Sequence, residues 1–211
     1  DFPQEVGMDV SVFTRSGVER IHRFAFDLAR SRPRKLLTMV TKSNAQRHGM
    51  VMWDEIFDVV KVDYPDVQTD RMLVDAMTTR MVLDPKSLDT IVATNLHADI
   101  LSDLAAALSG SMGIAPTANL RPEKDFPSMF EPIHGSAFDI MGQGIANPIG
   151  AFWSASMMLE DLGEYPAAAR LIAAIERVTA AGRVMPRDLG GEATTRQVTD
   201  AVIEALRSAN D

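Results

Sequence analysis

Two aspartates four residues apart, in Asn95-Leu-His-Ala-Asp99-Ile-Leu-Ser-Asp103, are the first feature of this chain that could do chemistry. On a helix that spacing stacks both carboxylates on one face, a turn apart. Like charges so placed repel by about 0.2–0.5 kcal/mol unless a cation lies between them. A hard divalent ion, Mg2+ or Mn2+, meets that need, because it prefers carboxylate oxygens and leaves positions open for water or substrate. The competing reading leaves one aspartate in solvent while the other caps the helix or pairs with an arginine. A second cluster runs Phe130-Glu-Pro-Ile-His-Gly-Ser-Ala-Phe-Asp-Ile140 and on through Gly142, Gly144 and Asn147-Pro148. Small residues at Gly135, Ser136 and Ala137 let a ligand approach backbone N–H groups. An acidic residue after such a loop, Asp139, can accept hydrogen bonds from ribose hydroxyls and would repel a 2′-phosphate. The run is not the strand–GxGxxG–helix fingerprint, so a loop that uses its glycines only to turn stays open as the alternative. The third cluster is Val40-Thr-Lys42-Ser-Asn44, at the end of an apolar run. A lysine there points into the crevice where open α/β sheets place ligands and, partly buried, can act as a base. A plainly solvated lysine is the other reading.

The elements that must position these groups alternate. Asp9–Thr14 has the period of a short strand, and Ser16–Glu19 spells a capping box that opens a helix with Ile21, Phe24, Ala25 and Leu28 at helical spacing, closed by Pro33. Lys35–Val40 reads as a buried strand. Met52, Trp53, Ile56, Phe57 and Val60 form a helical stripe that stops before Pro65. Leu73, Met77 and Met81 begin another helix, broken at Asp84-Pro85. Thr90–Thr94 is a strand, and Leu96–Leu108 a helix ended by Gly110. Past Gly110 the chain is rich in Gly, Pro and Asn, and three helices close it: Pro148–Leu162, Ala167–Ala181 and Thr195–Ser208. Repeated strand–helix units predict an α/β fold, a layered, largely parallel sheet with helices on both faces. One boundary, near Gly110, divides residues 1–109 from 110–211. His22 and His48 lack partners at ligand spacing and read as surface residues. Asp188-Leu-Gly-Gly-Glu192 reads as a turn and cap before the last helix.

Composition bounds the function. The 211 residues are 46% hydrophobic and 24% charged, which excludes disorder. A net charge of −8 opposes general binding of nucleic acid or anionic membranes. With no cysteine there are no thiolate metal sites or thiol nucleophiles, which fits a reducing cytoplasm. No apolar run reaches the length of a membrane span. The chain opens at Asp1 and reads like the continuation of something longer.

Taken in order, Thr41-Lys-Ser-Asn44, Val74-Asp-Ala-Met77, Asn95–Asp103, Gly113-Ile-Ala-Pro-Thr-Ala-Asn119 and Phe130–Pro148 resemble the β-decarboxylating dehydrogenases, the isocitrate, isopropylmalate and tartrate/D-malate enzymes. The resemblance covers essentially the whole chain. Phe13-Thr-Arg, Thr41-Lys-Ser-Asn, Met52-Trp-Asp-Glu and Thr94-Asn-Leu-His-Ala-Asp look closest to the tartrate/D-malate branch. It implies an isopropylmalate dehydrogenase-like fold, with residues 1–109 in the smaller, dimer-forming domain and 110–211 in the larger dinucleotide-binding domain. It implies NAD-dependent oxidative decarboxylation of a small 2-hydroxy acid. Lys42 matches the proton-transfer lysine, and Asp75, Asp99 and Asp103 match the carboxylates around Mg2+ or Mn2+. The resemblance implies that Lys42 and Asp75 serve the partner's site, in a homodimer. Asn44 matches a residue near the nicotinamide. Glu131, His134, Gly135, Ser136, Ala137, Asp139, Ile140 and Asn147 match the dinucleotide loop, with Asp139-Ile140 the NAD-type pair. His97-Ala98 departs from the usual Phe-Gly, and Phe138 from the usual Pro. Substrate arginines and a catalytic tyrosine belong to a segment upstream of Asp1 in this family, so residues 1–211 alone are expected to be inactive. Three further readings are a 3-isopropylmalate dehydrogenase, a truncated homologue acting only in subunit association, and an iron oxygenase built on His97, Asp99 and His134.

Overall fold

Leu37–Thr41 is buried without a break because its strand is central and covered on both faces, where continuous apolar runs replace alternation. The computed structural model describes residues 4–208. In it, β1 (Leu36–Thr41) pairs in parallel with β2 (Gln68–Leu73) on one side and β3 (Thr90–Val92) on the other, in the order β2-β1-β3. Leu37 and Met39 point into a core shared with Phe26 of α1 (Arg15–Ser31) and Trp53, Ile56 and Phe57 of α2 (Gly49–Lys61). Thr38 and Val40 take the opposite face by the period of two. Met77 and Met81 are the buried residues of α3 (Val74–Leu83), which touches β1 and β2. α4 (Asn95–Leu108) follows β3. The chain divides into two compact units, Asp1–Leu104 and Ala105–Asp211.

Several sequence expectations change in this unit. Asp9–Thr14 is not a strand, and Val10 and Val12 are about four-fifths exposed. Alternation alone does not make a strand without a neighbour to pair with, and none pairs with it among the described residues. The cap of α1 is Thr14, whose side chain accepts from the Gly17 N–H, not a box at Ser16–Glu19. Its inner face is Val18, His22, Ala25, Phe26 and Ala29, which leaves Ile21 and Leu28 exposed. His22 is therefore fully buried, not a surface residue. β2 is an unanticipated strand: its Gln-Thr-Asp-Arg start has no apolar pattern because it lies at a sheet edge.

The second unit is built on three helices, α5 (Ile149–Asp161), α6 (Tyr165–Ala181) and α7 (Thr195–Arg207), around Ile149, Ala174, Ile175, Val198 and Val202. α5 also packs on an antiparallel pair, β4 (Pro116–Asn119) and β5 (Met129–Pro132), where the sequence suggested only irregular chain. A Cβ on Gly150 would stand 2.9 Å from the Gly113 carbonyl oxygen, so α5 can approach the segment before β4 only with glycine there. Among the described residues no helix is long and apolar enough to cross a membrane. The α/β class and the parallel sheet are as the sequence predicted.

Candidate functional site

The parallel sheet delivers the first unit's chemistry to one edge. Lys42 is the residue after β1, Asp75 lies in the first turn of α3 directly after β2, and Asn95 opens α4 just beyond β3. Carboxyl ends of parallel strands are where open α/β sheets bind ligands. The register Thr41↔Leu73 brings the first two together. Lys42 Nζ donates to Asp75 Oδ1 at 2.5 Å. That hydrogen bond holds the Asp75 carboxyl below the ordinary carboxylate range. Asn44 is exposed on the loop that follows.

Asp99 and Asp103 lie on α4 one turn apart, both exposed. Among the described residues neither forms an ion pair, so the reading in which an arginine neutralises one of them has no support. His97 and Leu101 point the other way and are buried. Burial, and then the Lys42 charge, push the His97 pKa down, and its Nδ1 is buried without a hydrogen-bond partner. A neutral ring facing away from Asp99 cannot form a chelate with it. Among the described residues no three His, Asp or Glu side chains gather as a metal site in one chain. The helical setting of Asp99 speaks against the iron reading. The donor set of Asp75, Asp99 and Asp103, all carboxylate, is the type that suits Mg2+ or Mn2+.

In the second unit, His134, Gly135, Ser136, Ala137, Ile140 and Asn147 line one open cleft of about 830 Å3. Ala137 takes the left-handed conformation with φ +44°, an uncommon state for a residue with a Cβ, so the surrounding loop must hold it. Asp139 sits beside Ile140 in a 3-10 turn, exposed, and is not among the lining residues. Glu131 is on β5 opposite Thr117 and does not line the cleft either.

The cleft holds residues that sequence reasoning passed over. Asp188, read as part of a turn, accepts at one oxygen from both the Ser111 hydroxyl and Asn147 Nδ2, the latter at 2.9 Å. Ser111 Oγ in turn accepts from the Gly113 N–H at 2.8 Å. A Cβ on Gly113 would lie 2.5 Å from Asp188 Oδ2 and 3.0 Å from Asn147 Cβ, so the knot closes only around glycine. The Thr195 hydroxyl adds a bond to the Ala146 carbonyl at 2.5 Å. The contributing signal in sequence was Gly113 itself, a glycine inside an otherwise ordinary anchor. Its partner lies too far along the chain to be seen there.

Comparison with known proteins follows this geometry. The family model for isocitrate/isopropylmalate dehydrogenase matches residues 1–202. A probable tartrate dehydrogenase/decarboxylase of Agrobacterium vitis is 69% identical over 208 residues, 99% of this chain and 58% of the relative. A D-malate dehydrogenase (decarboxylating) of Escherichia coli is 49% identical over 96% of this chain and 57% of its own length. The solved structure of an isocitrate dehydrogenase from Methylococcus capsulatus superposes with a TM-score of 0.90 at 41% identity, covering 94% of this chain and 58% of that one. The chain thus spans somewhat over half the length of these relatives. With a match over nearly its whole length, this chain belongs to the isocitrate/isopropylmalate dehydrogenase family.

Proposed function

We propose that the protein carrying this chain oxidises and decarboxylates a small 2-hydroxy dicarboxylic acid of the tartrate or D-malate type, with NAD as acceptor and Mg2+ or Mn2+ as metal. The observation that carries the reading is the Lys42–Asp75 pair at the strand edge, in a chain 69% identical to a probable tartrate dehydrogenase/decarboxylase. In this reading Lys42, in its neutral amine form, would take the proton of the substrate hydroxyl, while Asp75 holds the direction of its Nζ. Asp75, Asp99 and Asp103 would hold the divalent ion, which when bound supplies Lewis-acid polarisation of the hydroxyl and its neighbouring carboxylate. The loop from His134 to Ile140, with Asn147, would hold the dinucleotide, which would supply the acceptor for the hydride that leaves C2. Loss of CO2 then leaves an electron pair on the substrate as an enolate, to which a proton must return. Asp139 would favour NAD, because a 2′-phosphate beside its carboxylate brings like charges together. In this reading the protein is a homodimer in which Lys42 and Asp75 would complete the partner's site. A cytoplasmic location goes with this reading.

The test is turnover. The full coding sequence, purified and assayed for NADH with D-malate, tartrate, 3-isopropylmalate and isocitrate, is expected to use one of the first two, to need Mn2+ or Mg2+, and to lose activity on Lys42→Met. No turnover of tartrate or D-malate, or turnover unaffected by Lys42→Met, overturns the proposal.

A further inference from the structure

The loop that carries Lys42 and Asn44 needs an anchor, because both flank one residue, Ser43, at the point where β1 has ended and α2 has not begun. Its backbone ties are local: the Ala45 and Gln46 N–H groups donate to the Lys42 carbonyl at 3.0 and 2.9 Å, and the Ser43 N–H to Thr41 Oγ1 at 3.3 Å. Such a turn fixes the loop's shape but not its place against the sheet. The long-range tie is a side chain. Ser43 Oγ donates at 2.8 Å to Asp54 Oδ2, which belongs to the second turn of α2.

Asp54 is an expensive residue to keep in that position. Its side chain is 15% exposed, its Oδ1 is buried with no hydrogen-bond partner, and its nearest cation, Arg71, stands off at 3.9 Å while bonding Asp58 at 2.7 Å. The adjacent Trp53 is buried in the core, so Asp54 rides on one of the most firmly packed turns of the unit. A half-satisfied carboxylate in such a place destabilises rather than stabilises the fold, and an apolar residue of similar size would cost less. What the carboxylate does provide is direction: a charge-assisted acceptor that a hydroxyl can meet in one geometry.

We infer that Asp54 is a positioning residue, which acts through the Ser43 hydroxyl to hold Lys42 and Asn44 in place at the strand edge. Asp75 fixes the lysine's head, and Asp54 fixes the backbone from which it extends. This rests on the dehydrogenase reading given above, and it adds a residue that touches neither substrate nor cofactor. A shift of about 1 Å in a reacting group costs up to a hundredfold in rate.

The experiment uses the full-length enzyme with Ser43→Ala, Asp54→Ala, the double variant, and Ser43→Thr. Ser43→Ala is expected to lower kcat about tenfold or more, with KM for the 2-hydroxy acid and Mn2+ affinity little changed. Ser43→Thr, which keeps the hydroxyl, restores most of the rate. The double variant is no slower than Asp54→Ala alone, since both remove the same bond. Thermal unfolding separates folding losses from rate losses: a variant that unfolds well above the assay temperature and still loses kcat supports positioning. Losses that multiply in the double variant, or wild-type kcat in Ser43→Ala while Lys42→Met is inactive, refute the inference and leave the dehydrogenase reading standing. An enzyme indifferent to Lys42→Met refutes that reading, and the positioning role with it.

Discussion

His22 offers a quantitative test of the first unit's core. Its ring is wholly buried between Trp53, at 4.2 Å between ring centres, and Phe57, at 5.3 Å. Nε2 lies 3.2 Å from the Trp53 carbonyl oxygen and must carry the proton to donate there, so Nδ1 holds a lone pair buried without a partner. Burial pushes the pKa down from 6.5 to about 4, against smaller upward pulls from the Trp53 hydrogen bond and the Asp54 charge. Between those values the unfolded chain binds a proton that the folded one refuses. Stability therefore falls as pH drops from 6.5 to 4, by about 3 kcal/mol in all, and this group adds no slope outside that window. His22→Gln removes the titration and keeps a donor for the Trp53 carbonyl, but gives up two edge-on aromatic contacts, about 1–3 kcal/mol. The variant should be less stable than the parent at pH 7 and at least as stable at pH 4. Urea unfolding at each pH reports this through Trp53, which touches the ring. Other acids contribute equally to both proteins and cancel in the difference. Parallel stability curves with a constant gap, or an imidazole resonance that titrates near 6.5 in the folded protein, would refute the reasoning.

Other outcomes follow from the site. Asp99→Asn and Asp103→Asn should each weaken Mn2+ binding at least tenfold without loss of helical signal, read by metal titration and circular dichroism; parental affinity would remove both from the metal set. Asp139→Lys with Ile140→Tyr should move the ratio of kcat/KM values toward NADP by tenfold or more, and an unchanged ratio would detach these residues from cofactor choice. Residues 1–211 expressed alone should give no NADH from D-malate or tartrate. Arg80, the nearest cation on α3, is already committed to Asp70 and Ser87, so a dicarboxylate would meet three carboxylates against Lys42 and one metal ion. Turnover at rates typical of the full-length enzyme would show that an arginine here binds substrate after all.

Elements with their own local signal were legible in the sequence. β1, α2, α4 and the closing helices announce themselves through a continuous apolar run or a helical stripe, and the structure places them within a residue or three of expectation. β2 and the β4–β5 pair did not, because an edge or half-exposed strand carries little apolar pattern and exists only through its partner's hydrogen bonds. The converse error came from Asp9–Thr14, where alternation is present and the partner is not. On α1 the stripe was displaced by one residue, since a histidine was counted as polar when its spacing from Val18 and Phe26, four residues to either side, placed it on the buried face.

The site divides along the same line. Lys42, Asn147 and the small residues of the cleft loop stood out in short runs whose residue types suit a ligand site, whereas Asp75 stood out only through the family resemblance. The residues that hold them were not: Asp54 meets Ser43 across a helix turn, and Asp188 meets Asn147 and Ser111 from 41 and 77 positions away. An aspartate at a turn or on a helix has many ordinary uses, so its type says nothing until its partner is known. Both aspartates accept from a polar side chain that neighbours or belongs to the working set, and both sit on segments with their own packing. A motif in sequence thus marks the groups that would meet a ligand, while the carboxylates that aim them emerge only when the chain has folded.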